Sequence, residues 1–278
     1  MRYAILHVLT FLAVAVCGVA GVVFPGSEAA RAQQATVDLE LVLAVDVSLS
    51  MDLEEQRLQR EGYVQAFRDP EVIKSIVTGP SGRIAVTYME WAGPGTQQVV
   101  MPWTIIDSAE SAQEFARRLD ASNISRARMT SISAALQFSE GLFETSGVRG
   151  LRRVIDVSGD GPNNAGPTVT GIRDQLVAKG ITINGLPIVL KRPSSFFDLD
   201  NLDQYYNDCV IGGSGAFMIP IREPGEFRSA TRRKLLLEIA GRFEPEPRLI
   251  RVQARPDPEE KADCLAGERR WNRYMREP

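Results

Sequence analysis

Leu41 to Val45 form an unbroken aliphatic run, the pattern of a strand buried on both faces of a parallel sheet. From Asp52 to Phe67 the chain is rich in helix formers, and Asp69-Pro70 stops the pattern. Residues 83–91 and 97–106 read as strands on either side of a Gly93-Pro94-Gly95 turn. Asp107 and Glu110 are spaced as a capping box, and Ala112, Phe115, Ala116 and Leu119 then share one helical face. A second helix opens at Thr130, with Ile132, Ala135, Leu136, Leu142 and Phe143 at helical spacing. The apolar residues 154–157 run into Gly159-Asp160-Gly161-Pro162. A helix over 169–179 stops at Gly180, strands follow at 181–190 and 216–221, and a last helix spans 225–240. Strands alternating with helices predict an α/β fold, a doubly wound, mainly parallel central sheet flanked by helices. Residues 191–215 read as a long irregular insertion. Pro245, Pro247, Pro256 and Pro258 among many charges make 241–278 an extended tail, where Trp271 and Tyr274 either dock or lie exposed. There is no internal repeat.

The first 32 residues change what the composition means. Arg2 precedes an apolar stretch from Ala4 to Val23, and Ala30-Arg31-Ala32 offers a small-residue cleavage site. This is the pattern of a secretory signal peptide, with a retained membrane anchor as the alternative. Removal of residues 1–32 leaves 246 of the 278 residues and no stable membrane span, and it takes away His7, the single histidine. An exported chain without imidazole cannot build a Ser-His-Asp triad or a histidine zinc site. Arg2, Glu28 and Arg31 leave with the segment, so the formal charge moves from −3 to −4. A mildly acidic domain offers nucleic acid no electrostatic footing. Cys209 and Cys264 then remain as an even pair, which in an oxidising periplasmic or secreted setting implies a disulfide rather than two unrelated thiols.

Chemistry concentrates where strands end. Asp46, Ser48 and Ser50 close the first aliphatic run, Thr130 stands at a loop–helix junction, and Asp160 follows the strand at 154–157. Serine and aspartate also serve as helix N-caps, which is the plain reading of DVSLS taken alone. Five hard oxygen donors above one sheet edge, however, suit Mg²⁺, Mn²⁺ or Ca²⁺ rather than zinc. DVSLS at 46–50, MTSISAAL at 129–136 and VIDVSGDGPNN at 154–164 together resemble the von Willebrand factor A (vWA) domain, including the integrin inserted domain. The resemblance spans 37–240 and is nearest to an uncharacterised secreted bacterial branch that shares the SGDGPNN and DCVIGG stretches. It implies a Rossmann-like vWA fold and a metal-ion-dependent adhesion site (MIDAS). By the family pattern Ser48, Ser50 and Thr130 bind the metal through hydroxyls, while Asp46 and Asp160 act mostly through water or as outer acceptors. Gly159 departs from the pattern by separating Ser158 from Asp160, which makes Asp156 a rival metal ligand. Arg128-Met129 departs too, standing where small residues are usual.

The implied function is a binding module that recognises a protein partner's acidic side chain through a divalent cation, Mg²⁺ first. Two other classes compete. A metal-dependent hydrolase would need a base near the cation, for which Glu90 or Asp156 are the candidates. A structural envelope protein would carry the same fold with a degenerate site.

Overall fold

The computed structural model describes residues 34–190, 199–241 and 261–276. The expected signal peptide at 1–32 lies outside the described residues, as do 191–198 of the insertion and 242–260 of the tail. Among the described residues no helix is long and apolar enough to cross a membrane.

The order of elements is β1 (Ala35–Val37), β2 (Glu40–Asp46), α1 (Leu53–Arg68), α2 (Pro70–Val77), β3 (Ile84–Trp91), β4 (Gln98–Ile106), α3 (Ala109–Asp120) and α4 (Ile132–Glu144). Then come β5 (Val148–Gly150), β6 (Arg153–Gly159), α5 (Val169–Ala178), β7 (Ile181–Pro187), the short α6 (Leu202–Tyr205), α7 (Phe227–Ala240) and α8 (Ala266–Tyr274). The central sheet has the order β4-β3-β2-β6-β7, parallel except for the edge strand β4. β1 and β5 form a small separate parallel pair. The expected α/β, doubly wound, mainly parallel sheet is therefore the fold observed.

Every residue of β2 is buried, because helices cover both faces of the sheet. Alternation along the strand divides its side chains between two cores. Leu41, Leu43 and Val45 pack with Phe67 of α1, Phe115 of α3 and Leu235 of α7. Val42 and Ala44 pack on the opposite face with Leu136 of α4 and Leu176 of α5.

Four local expectations change. Pro70 does not merely stop α1: with Asp69 capping through its carboxylate, it opens α2 at the first helical position, where its missing N–H costs nothing. The cap of α3 lies one residue on, at Ser108 with Ser111 as its reciprocal partner. Residues 216–221 run beside β7 without becoming a continuous strand. Main-chain bonds link Gly185, Pro187 and Val189 to Phe217, Ile219 and Ile221, but Pro187 has no N–H to continue the alternating ladder. The described parts of the insertion and tail are not irregular either, since α6 runs into a π-helical turn over Tyr206–Val210 and α8 lies in the tail. Tyr274 is among the exposed large side chains.

A charged cluster is buried where α7 meets the sheet. Lys234 Nζ lies 2.8 Å from Asp156 Oδ1 and also pairs with Glu238. Asn184 Nδ2 donates to Glu238 Oε1 at 3.0 Å, and Tyr63 Oη to Asp156 Oδ2 at 3.3 Å. Two carboxylates thus share one ammonium, and burial pushes the Glu238 carboxyl up to about 7 against the pull of Lys234. In the window from its ordinary 4.5 to about 7, the folded protein holds a proton that the unfolded chain has released. Stability from this group therefore falls as pH rises through the window. Glu238→Gln should make that fall shallower, as read from urea midpoints on either side of the window. Equal slopes in variant and wild type would contradict the assignment.

Candidate metal centre

β2 delivers Asp46 to the carboxyl edge of the sheet with its side chain fully buried. Asp46 Oδ1 accepts the Ser48 N–H at 2.7 Å, and this turn sets Ser48 Oγ 2.7 Å from Ser50 Oγ. Ser50 Oγ in turn donates to Asp160 Oδ1 at 2.7 Å, so residues at the ends of β2 and β6 are joined in one hydrogen-bonded chain. The helix-cap reading of these serines does not hold, because α1 is capped by Asp52 with Glu55 closing the box.

Thr130 reaches the same edge from the loop before α4. Met129 takes a left-handed φ of 73°, rare for a residue with a side chain. Gly93 gives this loop room, since a Cβ there would lie 2.7 Å from the Arg128 carbonyl oxygen. Thr130 N–H donates to Asn164 Oδ1 at 2.9 Å, and the Thr130 carbonyl accepts the Asn164 N–H at 2.8 Å. Ser131, not Thr130, caps α4, which leaves the Thr130 hydroxyl out of the helix. It faces the turn beyond Asp160, 3.8 Å from where a Cβ on Gly161 would stand. Thr130 lies outside the Ser48–Ser50–Asp160 chain but on the same rim.

Burial is the main force raising the Asp46 carboxyl well above the usual range, and the Asp160 charge adds repulsion, while hydrogen bonding from Ser48 and from the Asp160 backbone opposes both. Asp46 Oδ2 is buried with no hydrogen-bond partner among the described residues. A buried, unsatisfied carboxylate oxygen beside a second carboxylate is costly, and a nearby hard cation would relieve it. No group of three or more His, Cys, Asp or Glu side chains among the described residues is placed to hold a metal. A cation here would depend on the hydroxyls of Ser48, Ser50 and Thr130, donors of the kind that Mg²⁺, Mn²⁺ and Ca²⁺ accept. The residues present fit such an ion.

The rival residues are engaged elsewhere. Asp156 belongs to the Lys234 cluster on the opposite face of β6. Glu90 is buried in an ion pair with Arg60 and accepts the Ser125 N–H at 2.9 Å. Ser158 accepts from Gln59 Nε2 at 2.7 Å, turned towards α1 and away from the centre.

The chain is matched at residues 36–243 by the model of a family described as a protein of unknown function, DUF1194. The chain belongs to the DUF1194 family. No curated protein matches it. Among solved structures, the fold is similar to proximal thread matrix protein 1 of the mussel byssus with a zinc-occupied MIDAS motif, at TM-score 0.51 and 14% identity. That match covers 75% of this chain and 49% of the mussel chain. The pilus adhesin SpaC of Lactobacillus rhamnosus GG matches at TM-score 0.53 and 13% identity, over 74% of this chain and 31% of SpaC. The vWF domain of Mfa5, a type V pili tip protein of Porphyromonas gingivalis, matches at TM-score 0.51 and 9% identity, over 75% of this chain and 97% of that domain. The chain thus spans about half or less of the first two, and at these identities the likeness concerns the fold: this DUF1194 chain has the vWA fold.

Several residues of the surroundings act through contacts with distant segments. Asn163 N–H donates to Tyr205 Oη at 3.1 Å, and its side chain binds the Ser133 N–H at 3.0 Å and Glu268 Oε1 at 2.8 Å. α8 meets this loop through Gly267, its one buried residue. Cys209 and Cys264 are joined in a disulfide, with Cα atoms 5.5 Å apart. It fastens the tail to the π-helical turn. Reduction should add about two hydrogens to the intact mass and lower stability by roughly 2–5 kcal/mol in the chain-entropy account, both measurable with and without reductant. Two thiols that alkylate in the unreduced native protein would contradict it.

Gly159, the departure from the vWA pattern, has a steric reason. A Cβ there would lie 2.8 Å from Asp46 Oδ2 and 2.9 Å from Tyr206 Oη. Gly159→Ala should therefore cost about 1–3 kcal/mol through overpacking. Thermal denaturation checks this, and an unchanged Tm would mean that the site is looser than described.

Proposed function

We propose that this chain is an exported vWA module that recognises an acidic side chain of a protein partner through a divalent cation, Mg²⁺ first, with Mn²⁺ or Ca²⁺ as alternatives. The observation that carries the reading is the Ser48–Ser50–Asp160 chain, backed by the buried Asp46 and edged by Thr130. When bound, the cation supplies a positive centre for the partner's carboxylate. Ser48, Ser50 and Thr130 give it neutral oxygens, so its charge stays incompletely balanced on the solvent side. Asp46 and Asp160 orient those hydroxyls and any water between them. Ser50 is exposed, whereas Ser48 and Thr130 are buried, so the centre opens to solvent along the Ser50 side. A role in the periplasm or outside the cell follows from the signal-like leader, and the pilus and byssus proteins of the same fold agree with it.

Hydrolysis at the same cation has less support. Glu90 and Asp156 are buried in ion pairs, and no histidine remains once the leader is removed.

Calorimetry with Mg²⁺ and Mn²⁺ tests the reading. Asp46→Ala and Ser50→Ala should each weaken the metal about 10–100-fold, the usual cost of disturbing ligands or their outer partners, with circular dichroism unchanged. Equal metal binding by folded wild type and variants would sink the adhesion site.

A further inference from the structure

Tyr206 opens the π-helical turn, a geometry that often marks functional sites, and its side chain is fully buried. Two glycines on neighbouring strands give it a path to the metal centre. A Cβ on Gly185 of β7 would lie 2.9 Å from Tyr206 Cδ1, and one on Gly159 of β6 would lie 2.9 Å from Tyr206 Oη. The ring therefore lies against β7 and carries its hydroxyl to the carboxyl end of β6. The same position above Gly159 is 2.8 Å from Asp46 Oδ2. Tyr206 Oη and Asp46 Oδ2 are both buried and both lack a hydrogen-bond partner among the described residues. One is a donor and the other an acceptor-only oxygen. Two such orphans at one glycine are complementary, and each alone would be costly.

We propose that Tyr206 is a positioning residue of the metal centre: its phenol is the donor that serves the second oxygen of Asp46 across Gly159. Asp46 is then held at both oxygens, by the Ser48 N–H at one and by Tyr206 at the other, with Oδ1 aimed at the serine turn. Gly159 acquires a purpose, since any side chain at that position would separate donor from acceptor. The structure brings the two groups to one glycine without a direct hydrogen bond between them, so the pairing takes a small turn of the phenol or a bridging water and needs no metal; the proposal rests on the adhesion-site reading only in its metal half.

The test uses Tyr206→Phe, which keeps the packed ring and removes the hydroxyl. In metal-free protein, Tm is measured for wild type, Tyr206→Phe, Asp46→Ala and the double variant. The hydroxyl should matter in the Asp46 background and lose its effect in the Asp46→Ala background, where it has nothing to serve. Mn²⁺ titration by calorimetry should show about a tenfold loss of affinity for Tyr206→Phe, in the range usual for outer partners of metal ligands. Additive Tm changes overturn the pairing, and unchanged Mn²⁺ affinity overturns its role at the centre. If wild type binds no Mn²⁺ while the Tm coupling persists, the adhesion-site reading falls and the Tyr206–Asp46 pairing stands.

Discussion

A carboxylate buried at the end of the middle strand is the constraint around which this molecule is arranged. Asp46 leaves water completely, and such a group is tolerated only where its oxygens are served or its charge is answered. One oxygen receives the Ser48 N–H, which bends the chain after β2 and brings Ser48 and Ser50 round to Asp160. The sheet order makes this the natural meeting place. From β2 the chain passes to β3 on one side, while β6 lies on the other. Open α/β sheets leave a crevice at such a switch point, beyond the carboxyl ends of their strands.

The wider fold holds that crevice still. Alternate residues of β2 face two separate cores, so the strand is gripped from both sides. On one face α7 is locked to β6 and β7 through Lys234, Asp156, Glu238 and Asn184. On the other, the turn containing Tyr206 is tied by the Cys209–Cys264 disulfide to the segment carrying α8. α8 reaches the Asn163 loop, whose next residue, Asn164, binds Thr130 at both its N–H and its carbonyl. Supports of this kind would hold the geometry of the proposed cation centre, whose hydroxyl ligands are weak and neutral.

Much of this was legible before the structure. β2 showed itself because both of its faces are apolar, and the DVSLS, MTSISAAL and SGDG stretches fell at element junctions in the expected order. α2 was hidden because Pro70 both ends one helix and begins the next, and a proline gives the same local signal for either. The strand-like run at 216–221 was over-read because its failure lies in Pro187, the ladder partner, and not in its own residues. Tyr206 and Gly267 were invisible for a similar reason, and Asn163, though it lies in the SGDGPNN stretch, gave no sign of its partners. Their significance comes from contacts with distant segments, and nothing in their immediate neighbours announces a meeting with Asp46 or Thr130.

The claim that the sheet edge is a cation centre is tested most directly by a crystal structure of the mature protein soaked in Mn²⁺, with anomalous scattering used to locate the ion. The account predicts one strong peak among the side-chain oxygens of Ser48, Ser50, Thr130 and Asp160, with Asp46 behind them. A well-ordered sheet edge with no peak there, or a peak bound elsewhere while these hydroxyls keep their mutual hydrogen bonds, would contradict it.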